Sequence, residues 1–408
     1  DEHTNRGNCD VLAHQLQEKG KPIHVERENP TKHCTSFFLP LPSWPRPTIQ
    51  RRELDPKRAD VHAQSMYHKF FEELAFTDEQ KLDIQQAAKQ ADKRSLTLEL
   101  ERAIKLRDVQ KVGTILLQGF QTFGPVCPLV LIQSCYELVC NLYRDLCIEE
   151  SVRVATLSDI SLWTEVYAHD HSQETGFAQV FWIARHLCAK ILRLGRLQFE
   201  QKSMNSPLRI YQRERSEHCI TLAEADIACD SAGYLINPEQ AAFMTTLREE
   251  GTSLIAHAVD GASGSIARQP SLYDTSRLRL LADSATNVLH IHIPAGEKLS
   301  EQAVADSLLQ APRYFPNHSL AVCTSWLLDP ALLSVAEPSS NIVLFMQRFS
   351  KFPVPFQTPQ IFERVFGFTA TEDDIPRWKA TTTLQRSIQR ALSEGVVFRT
   401  MGGYLLLG

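Results

Sequence analysis

At Leu194-Gly195 the hydrophobic pattern of the chain changes period, and one layer of secondary structure cannot accommodate both halves. Upstream, apolar residues recur every three or four positions, the spacing of a helix stripe. Downstream they alternate at every second position, the spacing of a half-buried strand. Helices are expected at 63–74, 78–91 behind a Thr77 cap, 95–105, 112–117, 128–148, 158–168 capped by Ser158, and 176–192. Gly195 fits the position just past the last of these helices, and Arg193 its final turn. Beyond it, strands are expected at 196–201, 208–213, 288–293, 320–326, 342–348 and 404–407, with helices at 238–250, 301–313, 329–335 and 383–394. Runs of strands broken by a few helices make the second half α+β.

Three parts follow from this pattern. Residues 1–58 are polar and carry Leu39-Pro40-Leu41-Pro42-Ser43-Trp44-Pro45-Arg46-Pro47, whose closely spaced prolines exclude a regular helix or a central strand. They read as an extended or disordered arm, with Trp44 as a docking anchor. Residues 59–194 form an α-helical domain and residues 195–408 an α+β domain. A chain of 408 residues with 43% hydrophobic content has ample material for two cores.

The net charge of −5, from 43 basic and 48 acidic residues spread along the chain, argues against nucleic acid or an anionic membrane as partner. Ten cysteines contain no C-x-x-C pair, so reduced thiols in a cytoplasmic protein explain them more simply than zinc or a disulfide framework. No secretory h-region and no apolar span of membrane length is present. Glycine-rich dinucleotide and Walker loops, the H-E-x-x-H helix and the G-x-S-x-G elbow are all missing.

The best candidate for chemistry is the stretch from Asn287 to Tyr314. Val288-Leu289-His290-Ile291-His292-Ile293 alternates as a strand, turns through Pro294-Ala295-Gly296, and enters a helix near Ser300. Unpaired backbone N–H groups and the helix dipole converge at such a turn and favour a phosphate. Alternation places His290 and His292 on one strand face and Leu289, Ile291 and Ile293 on the other. Arg196, Gln198 and Glu200 likewise share a face, expected to be solvated, from which a buried Glu200 would act as a general base. Val322-Cys323-Thr324-Ser325-Trp326-Leu327-Leu328-Asp329-Pro330 reads as a second strand running into a helix start, with Asp329 as cap. Two such strands side by side would splay and leave a slot for an extended ligand. Ser340 and Asn341 are expected to satisfy a turn before the strand at 342–348.

Four segments together, Arg193 to Glu200, His290-Ile291-His292-Ile293-Pro294-x-Gly296, Ser325 to Pro330 and Ser340-Asn341-Ile342, resemble a family of acyltransferase-like proteins. In that family an N-acyltransferase N-terminal helical domain precedes a C-terminal domain similar to the GNAT superfamily, and the resemblance covers residues 60–408. It implies a GNAT-like mixed-sheet fold for the second half. It also implies an acyl-CoA co-substrate, acetyl-CoA or longer, whose diphosphate lies at the turn after the fourth strand and whose pantetheine arm lies in the splay. The cofactor-binding residues would then be Ile293, Ala295, Gly296, Lys298 and Ser300. The superfamily's Q/R-x-x-G-x-G/A loop is replaced here by Pro294-Ala295-Gly296-Glu297-Lys298-Leu299-Ser300, with one glycine and an acid.

On this reading the protein moves an acyl group from a CoA thioester to an amine on a small molecule or peptide. His292, then His290 or Glu200, serves as base, and Ser325, or less readily Cys323, as acid. No metal is implied, because two histidines on one strand lack a third ligand. The main alternative is a catalytically inactive GNAT-like interaction protein, which the altered turn would permit. A further alternative is a hydrolase, or an enzyme taking acyl groups from a carrier other than CoA, that uses the histidine pair.

Overall fold

The computed structural model describes residues 69–90, 93–214, 216, 218–355, 360–367 and 370–407. The arm at 1–58, Trp44, and the start of the helix expected at 63–74 lie outside them. Helical residues 69–73 are followed by α1 (Asp78–Gln90), α2 (Arg94–Lys105), α3 (Val109–Phe123), α4 (Cys127–Asp145), α5 (Glu150–Leu157), α6 (Asp159–Asp170) and α7 (Val180–Leu187). Thr77 caps α1 as expected, its Oγ accepting from the Gln80 N–H at 3.2 Å. Glu73 ties the first helical turn to the rest. It takes Arg153 Nη1 at 2.6 Å and Nη2 at 2.8 Å and the Tyr136 hydroxyl at 2.7 Å.

Several expectations give way here. Ser158 does not cap α6; it is itself helical, and its hydroxyl bonds back to the Ala155 carbonyl at 2.7 Å. The helix expected at 176–192 is only α7, because Ala189 takes a positive φ of 49° and turns the chain. Arg107 closes that end by donating to the carbonyls of Cys188 and Ala189 at 2.9 and 2.8 Å. Ile191–Leu194 is then β1, so Arg193 is a strand residue, and Gly195, at φ +68°, makes the turn into β2 (Leu197–Ser203).

The second half is built on a six-stranded sheet of order β1-β2-β12-β13-β15-β14, where β12 is Asn287–His292, β13 Leu320–Ser325, β14 Ser350–Pro353 and β15 Met401–Leu406. All its pairings are antiparallel except β12 with β13. Between β12 and β13 runs α8 (Glu301–Tyr314), capped by Ser300, whose Oγ accepts from Ala303 N–H at 3.3 Å. Asn341–Gln347 is a helix, α9, and not a strand. Ser340 accepts from Val343 N–H and starts it, and the five-residue apolar run Ile342–Met346 carries no period that tells the two apart. α10 (Gln360–Phe366) and α11 (Thr383–Ser393) precede β15.

Residues 204–286 extend the β2–β12 pair into a separate β unit, whose neck is closed by Met204 N–H to Thr286 O and Asn205 N–H to Ser284 O, both 2.9 Å. It holds β3 (Leu208–Arg213), β4 (Cys219–Ala223), β5 (Ala228–Cys229), β6 (Phe243–Met244), β7 (Leu247–Glu250), β8 (Ser253–Ala256), β9 (Ala258–Val259), β10 (Ser271–Asp274) and β11 (Leu278–Ala282). The helix expected at 238–250 is replaced by one 3-10 turn, Pro238–Gln240, followed by β6 and β7. Gly251, at φ +64°, turns β7 back on β8, a hairpin that no helix could continue into.

One core joins the helices to the sheet face that carries Phe199, Ile291 and Cys323. The opposite face carries Val288, Val322, Phe352 and Tyr404 and is covered at that end by the β unit. The Tyr404 hydroxyl meets Thr221 of that unit at 2.9 Å. His290 and His292 continue this second face beyond Val288, so they lie between the β unit and α7.

Candidate active site

The parallel ladder between β12 and β13 has three rungs, Leu289 with Ala321, His290 with Val322, and Ile291 with Cys323. There it stops. β12 stays paired with β2 as far as His292, and β13 stays paired with β15 as far as Ser325. The sheet therefore divides at the C-terminal ends of two adjacent parallel strands, and the backbone amides beyond the last rung have no partner across the gap. The expected splay is present, with His292 at its mouth.

His292 Nε2 lies 3.1 Å from Glu200 Oε2, and Arg185 Nε of α7 lies 3.2 Å from the other carboxylate oxygen. The polar face of β2 is thus buried and not solvated: Arg196 is 2% exposed, Gln198 1% and Glu200 7%. Burial alone would raise Glu200, but the hydrogen bond and charge of His292 and the charge of Arg185 outweigh it and hold the carboxyl well below the usual carboxylate range. Burial pushes His292 below the ordinary imidazole range, with Glu200 opposing. A carboxylate can only accept, so the ring proton sits on Nε2 and the lone pair on Nδ1. His290 donates from Nε2 to the Ser203 carbonyl at 2.9 Å, and burial pushes it down to about 4.

Behind this pair stands a second one that sequence reasoning missed. His186 Nε2 lies 3.2 Å from Asp159 Oδ2, both buried, and the Trp182 indole N–H donates to the same oxygen at 3.0 Å. The Trp182 ring meets His186 and His292 edge to face, each at 5.0 Å, and Arg185 stacks over it at 5.3 Å. Trp182, Arg185 and His186 are spaced i, i+3, i+4 on α7, so one stripe of that helix delivers all three groups to the sheet. That stripe, polar within an otherwise apolar helix, was the available signal.

Ser325 lies elsewhere. By register it shares a face with Cys323 and Ile291, away from the histidines, and its Oγ accepts from Leu327 N–H at 3.1 Å. Cys323 is fully buried, with its thiol pushed up to about 12. Ile293, Ala295, Gly296, Lys298 and Ser300 line the turn from β12 into α8. Gly296 takes φ +116°, and a side chain there would meet nothing within 4 Å, so the space over the turn is open. Arg196 reaches the turn from the β1–β2 hairpin, donating from Nη1 to the Pro294 carbonyl at 2.8 Å. Open space, a helix start and a buried guanidinium are features that suit the diphosphate of CoA. A cavity of about 560 Å³, with Thr221, Ser350 and Tyr404 in its wall, lies toward the opposite end of β13 from the splay.

A mixed sheet that splits between two parallel strands, with a helix starting in the turn after the first, is the architecture of a GNAT-like acyl-transfer domain. The chain belongs to the family defined by the GNAT-like C-terminal domain, matched over residues 191–405, preceded by an N-acyltransferase N-terminal domain over residues 50–189. No curated protein matches it. Among solved structures it is similar to an acyltransferase in complex with decanoyl-CoA and teicoplanin, at 15% identity and a TM-score of 0.50 over 87% of this chain and 96% of that one. It is also similar to an acyltransferase in complex with decanoyl-CoA, at 16% identity and a TM-score of 0.49 over 85% of this chain and 88% of the other. The first of these likenesses, at 15% identity, speaks to the fold alone. Among the described residues no helix is long and apolar enough to cross a membrane.

Proposed function

We propose that this chain is an acyl-CoA-dependent N-acyltransferase that uses His292 as general base toward an amine on a small molecule or peptide. The observation that carries this reading is the His292–Glu200 pair, 3.1 Å apart, at the mouth of the β12–β13 splay. An acyl thioester in the splay would present its carbonyl to the unpaired amides beyond the Ile291–Cys323 rung. The acceptor nitrogen attacks that carbonyl and gives its proton to His292 Nδ1, while the C–S bond breaks and its electron pair leaves on sulfur. The imidazolium, held by the Glu200 carboxylate, then returns the proton to the thiolate. His292 is favoured over His290 because it lies beyond the last Ile291–Cys323 rung, at the splay, and pairs with Glu200, whereas His290 lies within the ladder and is tied to the Ser203 carbonyl. On this reading the proton returns through His292 and not through Ser325 or Cys323, which share the opposite face of β13.

Calorimetry with acetyl-, octanoyl- and decanoyl-CoA, together with thiol release in the presence of a panel of amines, tests this. Saturable acyl-CoA binding with amine-dependent release of free CoA is expected. A folded protein that binds none of the three would favour the inactive interaction scaffold.

A further inference from the structure

Arg196 is 2% exposed, and its Nε and Nη2 have no hydrogen-bond partner, although Nη1 is bound to the Pro294 carbonyl. Nε and Nη2 form the side edge of the guanidinium, the edge whose parallel N–H groups grip two oxygens of one anion. A buried cation left with that edge empty is costly, and folded proteins keep such a group where something pairs it. The charges acting on it are Arg193, which repels it, and Glu297 in the turn. Its position is fixed: Ser307 Oγ of α8 accepts the N–H groups of Arg196 and Leu197 at 2.9 and 3.3 Å, clamping the β1–β2 hairpin to the helix whose start forms the turn.

We propose that Arg196 recognises the diphosphate of CoA at the Pro294–Ser300 turn, through its Nε/Nη2 edge. It does for this chain what glycine-rich backbone does in related turns. The turn has one glycine and so brings few amides close to a phosphate, and a guanidinium arriving from the neighbouring strand supplies the missing donors. The inference rests on the acyl-CoA reading, and the experiment separates the two.

Calorimetry on the full chain compares CoA, pantetheine and inorganic pyrophosphate as probes, with wild type, Arg196→Met and Arg196→Lys. Methionine fills the same space without a charge, and lysine keeps the charge without the fork. Wild type is expected to bind CoA more tightly than pantetheine. Arg196→Met should weaken CoA by about 10- to 100-fold, the range for a hydrogen-bonded charge, and leave pantetheine unchanged, with Arg196→Lys between. Equal CoA affinity in wild type and Arg196→Met overturns the inference and leaves the transferase reading intact. So does wild type that holds pantetheine as tightly as CoA, a comparison that needs no variant to fold. Pyrophosphate binding that depends on Arg196, without any CoA binding, supports the anion site and removes the transferase reading. Binding of neither removes both.

Discussion

His292 and Glu200 meet diagonally across β12 and β2. The register sets Glu200 opposite His290 and Gln198 opposite His292, yet the carboxylate reaches the imidazole two rungs away at 3.1 Å. Because Arg185 holds the second oxygen from α7 at 3.2 Å, the helical half of the chain sets where that carboxylate points.

Glu200→Gln should therefore move the pH dependence of transfer. Glu200 opposes the downward push of burial on His292, so without it the imidazole falls further and the acidic limb of kcat/KM moves to lower pH. The plateau falls too, since the base is weaker. His292→Ala should lower kcat by about 10²- to 10⁴-fold, the usual contribution of a positioned base. A pH–rate profile of CoA release checks both, and an unmoved limb in Glu200→Gln would detach Glu200 from the base.

Trp182 separates structural from catalytic loss. Trp182→Phe keeps a ring against His292 but removes the donor to Asp159, whose Oδ1 already lacks a partner. It should cost about 1–3 kcal/mol in urea unfolding and leave turnover close to wild type. Trp182→Ala should lose turnover as well, because nothing then buttresses His292.

His290 should make stability fall with acid. Its folded value, about 4, lies below the 6.5 of the unfolded chain, so between those values the unfolded state binds the proton and the folded state does not. The stabilisation is complete above pH 6.5 and is lost as pH falls toward 4. Melting curves of His290→Gln should show a flatter dependence across that window than wild type; parallel curves would contradict the assignment.

Glu73→Ala should destabilise the helical half by about 1–3 kcal/mol, because it takes two hydrogen bonds from the buried Arg153 guanidinium and leaves it only the exposed Glu150 carboxylate and the Cys140 sulfur. Chemical denaturation followed by circular dichroism would read it, and a loss below about 1 kcal/mol would show that water reaches Arg153.

Much of the site was legible in the sequence because its strands alternate cleanly and end at strong punctuation. β12 stops at Pro294 and Gly296, α8 starts at Ser300, and the splay followed from two strand ends of that kind. The other half was not legible. Asp159, Trp182, Arg185 and His186 sit in helices, and although the i, i+3, i+4 stripe on α7 marks three of them, only contact with β2 shows what they serve. The β unit at 204–286 was obscured differently, since its strands run from two to six residues and some, β3 with β11 and β4 with β9, pair with partners far along the chain. Burial of Arg196, Gln198 and Glu200 depends on α7 and α8 lying over them, which strand alternation cannot report.

The closed neck of the β unit sets an order of events in the making of the protein. Glu200 and His292 are 92 residues apart along the chain, and bringing them together before the unit between them has folded means closing a long floppy loop for one contact. Once Met204 and Thr286 are joined, β2 and β12 can zip from that end toward Gln198 and His292. A substitution that weakens the neck, well away from any reacting atom, would therefore appear as slow recovery of activity after dilution from denaturant, with ordinary rate constants once recovery is complete.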